Sequence, residues 1–197
     1  MQLKDVAVLI TGGGSGLGAA TARAMAAKGA RIGVIDQNKE NAEKVAAEVK
    51  GVALHADVTD EEAIKAAIAK AEAAHGIARV LMNCAGIGGS QRIIGKDGTY
   101  PLAKFVRIIN VNLIGTFNVL RLAAARMAAL DPAGEDGERG LVVNTASIAG
   151  KQGYEPLAHY CASKFGVVAL TQAAARAFGK DGISANCICP GVVATDM

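Results

Sequence analysis

Tyr160 and Lys164 stand four residues apart in YCASK, a spacing that puts a phenol and an ammonium on one face of a helix. A phenol at its ordinary pKa of about 10 is a poor base at neutral pH. A cation beside it stabilises the phenolate, so Lys164 is expected to lower the pKa of Tyr160 and bring proton exchange within reach. Ser147 lies 13 residues upstream in VVNTASIAG, where a hydroxyl can donate a hydrogen bond to an oxygen that is gaining negative charge. Asn83, Cys84, Ala85 and Gly86 close another apolar run, a stretch that otherwise reads as a plain strand-ending turn. Asn112 interrupts an apolar helical stripe in VNLIG, where an Asn is in other cases simply an exposed or interface residue. Such groups together could pass a proton to and from an oxygen.

A second set suits an anion. TGGGSGLG, residues 11–18, holds Gly12, Gly16 and Gly18 in a G-x-x-x-G-x-G pattern around Ser15 and Leu17. Glycines allow a tight turn and let main-chain N–H groups approach a diphosphate, and a helix starting there adds partial positive charge. Asp36 follows 18 residues after Gly18. An acid at that place hydrogen-bonds the adenosine ribose hydroxyls of NAD and repels the extra phosphate of NADP. Gln37 and Asn38 supply no cation beside it, so NAD is the expected cofactor. Asp57 and Val58 close a further run from which a side chain could reach the adenine amino group.

Bringing these residues together requires strands that end at one edge. Apolar runs at 6–10, 31–36, 52–58, 79–84, 140–146 and 183–189 predict six strands. Helical periods lie between them at 17–28, 38–50, 60–75, 102–130 (as two segments) and 156–178, with Thr59 or Asp60 placed to cap the third. The alternation predicts an α/β fold: a Rossmann-like, doubly wound parallel sheet with helices on both faces, as one domain over 1–197. Ligands in such sheets bind beyond the carboxyl ends of the strands, where the candidate residues fall. The stretches 88–101 and 131–140, rich in Gly and charge, are long for connections and are expected to serve a site or an interface.

Composition narrows the partners. The 21 Lys and Arg are interleaved with 18 Asp and Glu, a net charge of +3, so no nucleic-acid partner is expected. A chain of 197 residues that is 51% hydrophobic and 20% charged can bury a core, which excludes a disordered protein. With 24 Gly, 4% aromatics and no Trp, its helices must pack through small side chains. No run reads as a membrane span or secretory signal, so no membrane partner and a cytoplasmic location are expected. The four cysteines form no C-x-x-C, and His55, His75 and His159 show no ligand spacing. Neither a disulfide framework nor a metal is expected, and Cys187 and Cys189 read as small buried core residues.

Taken in order, these motifs make the whole chain similar to the short-chain dehydrogenase/reductase family. The glycine pattern falls on Gly12, Gly16 and Gly18, and the N-x-A-G motif on Asn83 to Gly86. The catalytic tetrad falls on Asn112, Ser147, Tyr160 and Lys164, and P-G-x-x-x-T on Pro190, Gly191 and Thr195. The resemblance implies direct hydride transfer between a nicotinamide ring and a carbinol carbon, with Tyr160 transferring the proton and Ser147 holding the substrate oxygen. It also implies that Lys164 bonds the nicotinamide ribose, that Asn112 holds a water in a relay to Lys164, and that Val193 and Thr195 contact the carboxamide. A homo-oligomer, dimer or homotetramer, is implied through the helices over 102–130 and 156–178.

Two subfamilies divide the chain. NCAGI, the GKDG loop, NVNLIGTFNVLRLAA and the DPAGEDGERG loop resemble type 2 3-hydroxyacyl-CoA dehydrogenases. From Ala149 onward the chain looks more like diacetyl, acetoin and polyol dehydrogenases. The resemblance favours 3-hydroxyacyl-CoA slightly; a catalytically idle NAD-binding module is the rival of another class. Family members continue past Thr195 with a helical lid and a last strand, so the sequence is expected to be truncated at its C-terminus.

Overall fold

The structure, a computed structural model, describes residues 2–96, 98–133 and 135–193. Its axis is β1, Ala7–Thr11, whose five residues AVLIT are all buried, as a central strand covered on both faces requires. α1 (Gly16–Ala26) leads to β2 (Arg31–Asp36), α2 (Lys39–Glu48) to β3 (Val52–His55), and α3 (Glu61–His75) to β4 (Val80–Asn83). A small antiparallel hairpin, β5 (Ile94–Gly95) and β6 (Gly98–Thr99), precedes α4 (Leu102–Ile109). A π-helical turn, Asn110–Gly115, joins α4 to α5 (Thr116–Ala128). β7 (Gly140–Thr145), α6 (Ala158–Phe178) and β8 (Ile183–Ile188) follow. Among the described residues the main sheet has six strands, all parallel, in the order β3-β2-β1-β4-β7-β8. This is the doubly wound Rossmann-like arrangement, with its reversal between β1 and β4.

Alternation along the strands divides the core in two. Leu9, Ile35, Leu54 and Leu81 pack with Ile64 and Ala67 of α3 and Leu120 and Met127 of α5. Val8, Ile10, Ile32 and Val34 pack on the other face with Ala19 and Ala22 of α1 and Val45 of α2. The helix starts are set locally: the Asn38 side chain accepts from the Asn41 N–H at 2.9 Å, and Asp60 from the Ala63 N–H at 3.0 Å.

Several expectations are corrected. β3 stops at His55 rather than Val58, because Asp57 Oδ1 accepts from both the Thr59 N–H and its hydroxyl at 2.8 Å, turning the chain into α3. The long helix is interrupted by the π turn. The continuous run Leu102–Ala128 is, by length and composition, apolar enough to cross a membrane, contrary to the sequence reading; half of its most apolar window is buried in the fold. Cys187 and Cys189 are only half-buried, since β8 lies at a sheet edge; all four cysteines are free. The 131–140 stretch precedes β7 and so sits at the amino edge, away from the strand ends that carry the candidate site. Arg139 Nε donates there to the Leu130 carbonyl at 2.8 Å, and Arg79 Nη2 to that of Asp131 at 2.8 Å.

A buried polar chain crosses the carboxyl edge. Thr11 Oγ1 donates to Asn83 Oδ1 at 3.3 Å, Asn83 Nδ2 to Asn144 Oδ1 at 2.9 Å, and Asn144 Nδ2 to Thr171 Oγ1 at 2.9 Å. It links β1, β4 and β7 to α6, and removing either amide in the middle takes a buried hydrogen bond from two partners. Asn144→Ala is therefore expected to destabilise the protein by about 1–3 kcal/mol, read from the midpoint of urea unfolding; an unchanged midpoint would show the chain to be dispensable.

Candidate active site

A cleft of about 1140 Å³ runs along the carboxyl ends of the strands. One end is formed by the glycine loop. Gly12 takes φ +62°, and a Cβ on it would lie 2.8 Å from Ala85 Cα; a Cβ on Gly18 would run into the Gly12 carbonyl oxygen. Only glycine lets this loop lie so close to the β4 end. Ser15 caps α1 in an extended conformation with no side-chain capping bond, and α1 has no acid in its first turn. Its first N–H groups, which have no intrahelical partners, therefore meet an anion without repulsion. Ser15, Gly16 and Leu17 line the cleft with Gly12 and Gly18.

Asp36 sits at the same end with Gln37. Its Oδ2 accepts from the Gly14 N–H and its Oδ1 from the Asn38 N–H, both at 2.9 Å, so the carboxylate is held rigidly against the loop. Asp57 and Val58 line the cleft from the turn after β3. This donor-rich loop beside a fixed carboxylate fits the diphosphate and ribose of a nicotinamide dinucleotide.

The β4 exit brings Cys84, Ala85 and Gly86 to the cleft, but not Asn83. Here the expectation is corrected: the Asn83 side chain is fully engaged in the buried chain above, and acts by fixing the strand ends. The Cys84 and Ala85 N–H groups donate to Thr11 Oγ1 at 3.2 and 3.1 Å, which sets that wall. Pro190 and Val193 line the far side; Thr195 lies outside the described residues.

Ser147, Tyr160 and Lys164 meet at the centre. Ser147 Oγ accepts from the Ala149 N–H at 3.2 Å and lies near enough to the Tyr160 phenol to act on its pKa. Lys164 is 5% exposed; its Nζ donates to the Thr145 carbonyl at 2.7 Å and lies over the Tyr160 ring, 5.5 Å from its centroid. Burial lowers the Lys164 pKa to about 8, against a smaller opposing effect of the Cys84 and Cys189 thiols. The Tyr160 phenol is not pulled down by Lys164, as the spacing led one to expect. Burial pushes it up, the Ser147 hydroxyl opposes that, and Cys161 adds a further push. The physical reason is that the ammonium is committed to a carbonyl and faces the ring.

Asn112 is fully buried in the π turn rather than exposed. Its Oδ1 accepts from the Ile87 N–H at 2.8 Å, and its Nδ2 donates to the Ile87 carbonyl at 2.9 Å and to Ser163 Oγ at 3.1 Å. Both amide hydrogens are used within the chain, so the Asn112 side chain tethers the 86–88 wall to α6.

The chain belongs to the short-chain dehydrogenase family. The family's sequence pattern, described as short chain dehydrogenase, matches residues 6–197. The chain is 40% identical over 200 residues to a 3-hydroxyacyl-CoA dehydrogenase type-2 of Drosophila melanogaster, covering 100% of this chain and 78% of that relative. It is 42% identical over 179 residues to an inactive 2-(S)-hydroxypropyl-CoM dehydrogenase 2 of Xanthobacter autotrophicus, covering 89% of this chain and 73% of the relative. The crystal structure of a 3-hydroxyacyl-CoA dehydrogenase type-2 from Mycobacterium avium superposes with a TM-score of 0.92 at 38% identity, covering 100% of this chain and 78% of that one. This short-chain dehydrogenase is an oxidoreductase acting on CH–OH groups.

The sequence reading missed part of the cleft. Tyr100, Lys104 and Arg107 line it from the 88–101 loop and α4, and Tyr154, Leu157 and His159 from the approach to Tyr160. Two signals were available: Tyr100 falls in the 88–101 stretch expected to serve a site or an interface, and His159 adjoins Tyr160. Among the described residues no group of three or more His, Cys, Asp or Glu could hold a metal.

The buried ammonium sets a pH dependence. Between about 8 and the ordinary 10.5 the unfolded chain holds a proton that the folded protein has released, so stability rises with pH across that window. Wild type is expected to gain about 3 kcal/mol on Lys164→Met between pH 8 and 10.5. Parallel pH profiles of the two proteins in urea unfolding would contradict this.

Proposed function

We propose that this short-chain dehydrogenase uses NAD and interconverts a ketone and a secondary alcohol, with Tyr160 as the acid and base. The observation that carries the reading is the convergence of the Tyr160 and Ser147 hydroxyls over a buried ammonium in one cleft. NAD, when bound by the glycine loop and Asp36, supplies or takes up the hydride. Ser147 donates a hydrogen bond to the substrate oxygen, and Tyr160 gives that oxygen its proton as charge develops there. Burial holds the phenol above its ordinary pKa, so it is neutral at pH 7 and has a proton to give. Lys164, bonded to the Thr145 carbonyl, keeps positive charge near the phenol and would bond the nicotinamide ribose.

The substrate favoured is a 3-hydroxyacyl-CoA or its 3-keto partner, supported by the 40% identity to a protein of that name; diacetyl, acetoin and polyols are the alternatives. A second reading, an idle nucleotide-binding module, is favoured by the 42% identity to a relative named inactive. We also propose a homo-oligomer. Leu102 and Val106 of α4, Ile114 of the π turn, Phe117 of α5 and Phe165 of α6 are all exposed, and a second copy packed on these helices would cover them. Sedimentation is expected to give a dimer or tetramer; a monomer at micromolar concentration would oppose it.

Tyr160→Phe is expected to lower turnover of acetoacetyl-CoA or diacetyl by at least a thousandfold, while the affinity for NADH, followed by its fluorescence, stays within about threefold. NADPH should bind at least tenfold more weakly than NADH. Retained activity in the variant would remove the mechanism, and cofactor binding without turnover of any substrate by wild type would favour the idle module.

A further inference from the structure

We propose that His159 is a positioning residue whose imidazole clasps both ends of the 89–100 loop to the catalytic helix, holding the wall against which substrate is oriented. The orienting part rests on the dehydrogenase reading; the clasp itself does not. His159 precedes Tyr160 on α6 and is 2% exposed. Its Nε2 lies 3.1 Å from the Gly89 carbonyl oxygen, which assigns the proton to that nitrogen and engages the start of the loop. Its ring stacks on Tyr100, centroids 4.6 Å apart and planes 8° from parallel, which engages the end of the loop.

Other ties are backbone bonds or exposed: the Tyr100 N–H donates to the Ile93 carbonyl at 2.8 Å, which closes the hairpin on itself, and Lys104 Nζ donates to Gln91 Oε1 at 3.4 Å in solvent. The Gln91 N–H donates to the Pro156 carbonyl at 2.8 Å, and the Arg92–Glu155 pair at 3.1 Å is too exposed to hold a loop. The hairpin between the ends is exposed, with Ile93 and Ile94 turned to solvent. Order in this loop therefore comes from its base, and among the described residues His159 grips both sides of that base with one ring. Gly89, Ser90, Gln91 and Tyr100 line the cleft together with Tyr160 and Ser147. Hydroxyl donors act on a substrate oxygen only when the substrate is held to a fraction of an ångström, so a loosened wall lowers productive binding. The nucleotide end is built on the glycine loop and Asp36, whereas His159 bonds Gly89 and stacks on Tyr100, so NADH binding is expected to stay as it is.

The test uses trypsin, which cuts after Arg92 and Lys96 inside the loop, alongside steady-state kinetics. His159→Ala is expected to speed cleavage at those two sites at least tenfold and to raise the KM for diacetyl and acetoacetyl-CoA at least tenfold. The NADH dissociation constant should stay within twofold. His159→Phe, which keeps a stacking ring but loses the Gly89 bond, should fall between the two. Tyr100→Ala removes the stack from the loop side without touching α6 and should reproduce both effects, which covers the case of a His159 variant that does not fold. Wild-type cleavage rates in both alanine variants, or a freed loop with neither KM moved, overturn the proposal. If wild type turns over no substrate, the dehydrogenase reading fails, and the clasp stands or falls on the cleavage rates.

Discussion

The active-site end of this molecule depends on one buried cation. An ammonium removed from water loses its hydration, and the fold must return some of that or the group gives up its proton. Burial lowers the Lys164 pKa to about 8, opposed in part by Cys84 and Cys189, while Nζ keeps a hydrogen bond to the Thr145 carbonyl at 2.7 Å and lies over the Tyr160 ring. That balance leaves it charged near neutral pH, at the junction of β7 and α6. It also directs the ammonium to a carbonyl and a ring face, and the phenol, itself desolvated, stays neutral. A neutral phenol beside a serine hydroxyl is an arrangement for giving a proton.

The other constraint is geometric. The glycine loop leaves β1, the 84–87 wall leaves β4, Ser147 follows β7, and Tyr160 rides on α6. The Thr11–Asn83–Asn144–Thr171 chain makes one buried unit of these separate elements. Asn112 does the same for the wall and α6 by way of Ile87 and Ser163. Polar groups in such places are costly unless satisfied, and full satisfaction permits very few alternative arrangements. The cleft is therefore held open by the same bonds that hold the sheet edge together.

Much of this was legible in the chain. Strand runs such as VAVLI and RIGVID, and caps such as Asp60, are local signals, and the parallel alternation followed from them. Elements end where side chains intervene: Asp57 ended β3 early by capturing Thr59, a competition that hydrophobicity does not register. The π turn was illegible for a related reason. Its six residues NVNLIG have helical periodicity, and only packing of Asn112 against Ile87 selects the wider turn. Arg79 and Arg139 assigned the 131–140 stretch to the edge remote from the cleft through carbonyl contacts that composition could not reveal.

The sequence by itself determined which chemical groups are present, their order, and the sheet edge at which they emerge, because strand and helix periods and glycine placement are properties of neighbouring residues. Only the tertiary structure decided what each group does there. Whether Lys164 meets a hydroxyl or a carbonyl, whether Asn83 faces the cleft or the sheet, and whether His159 is idle or a clasp depend on partners up to some seventy residues away. Burial then sets their energies, and burial is a property of the assembled fold.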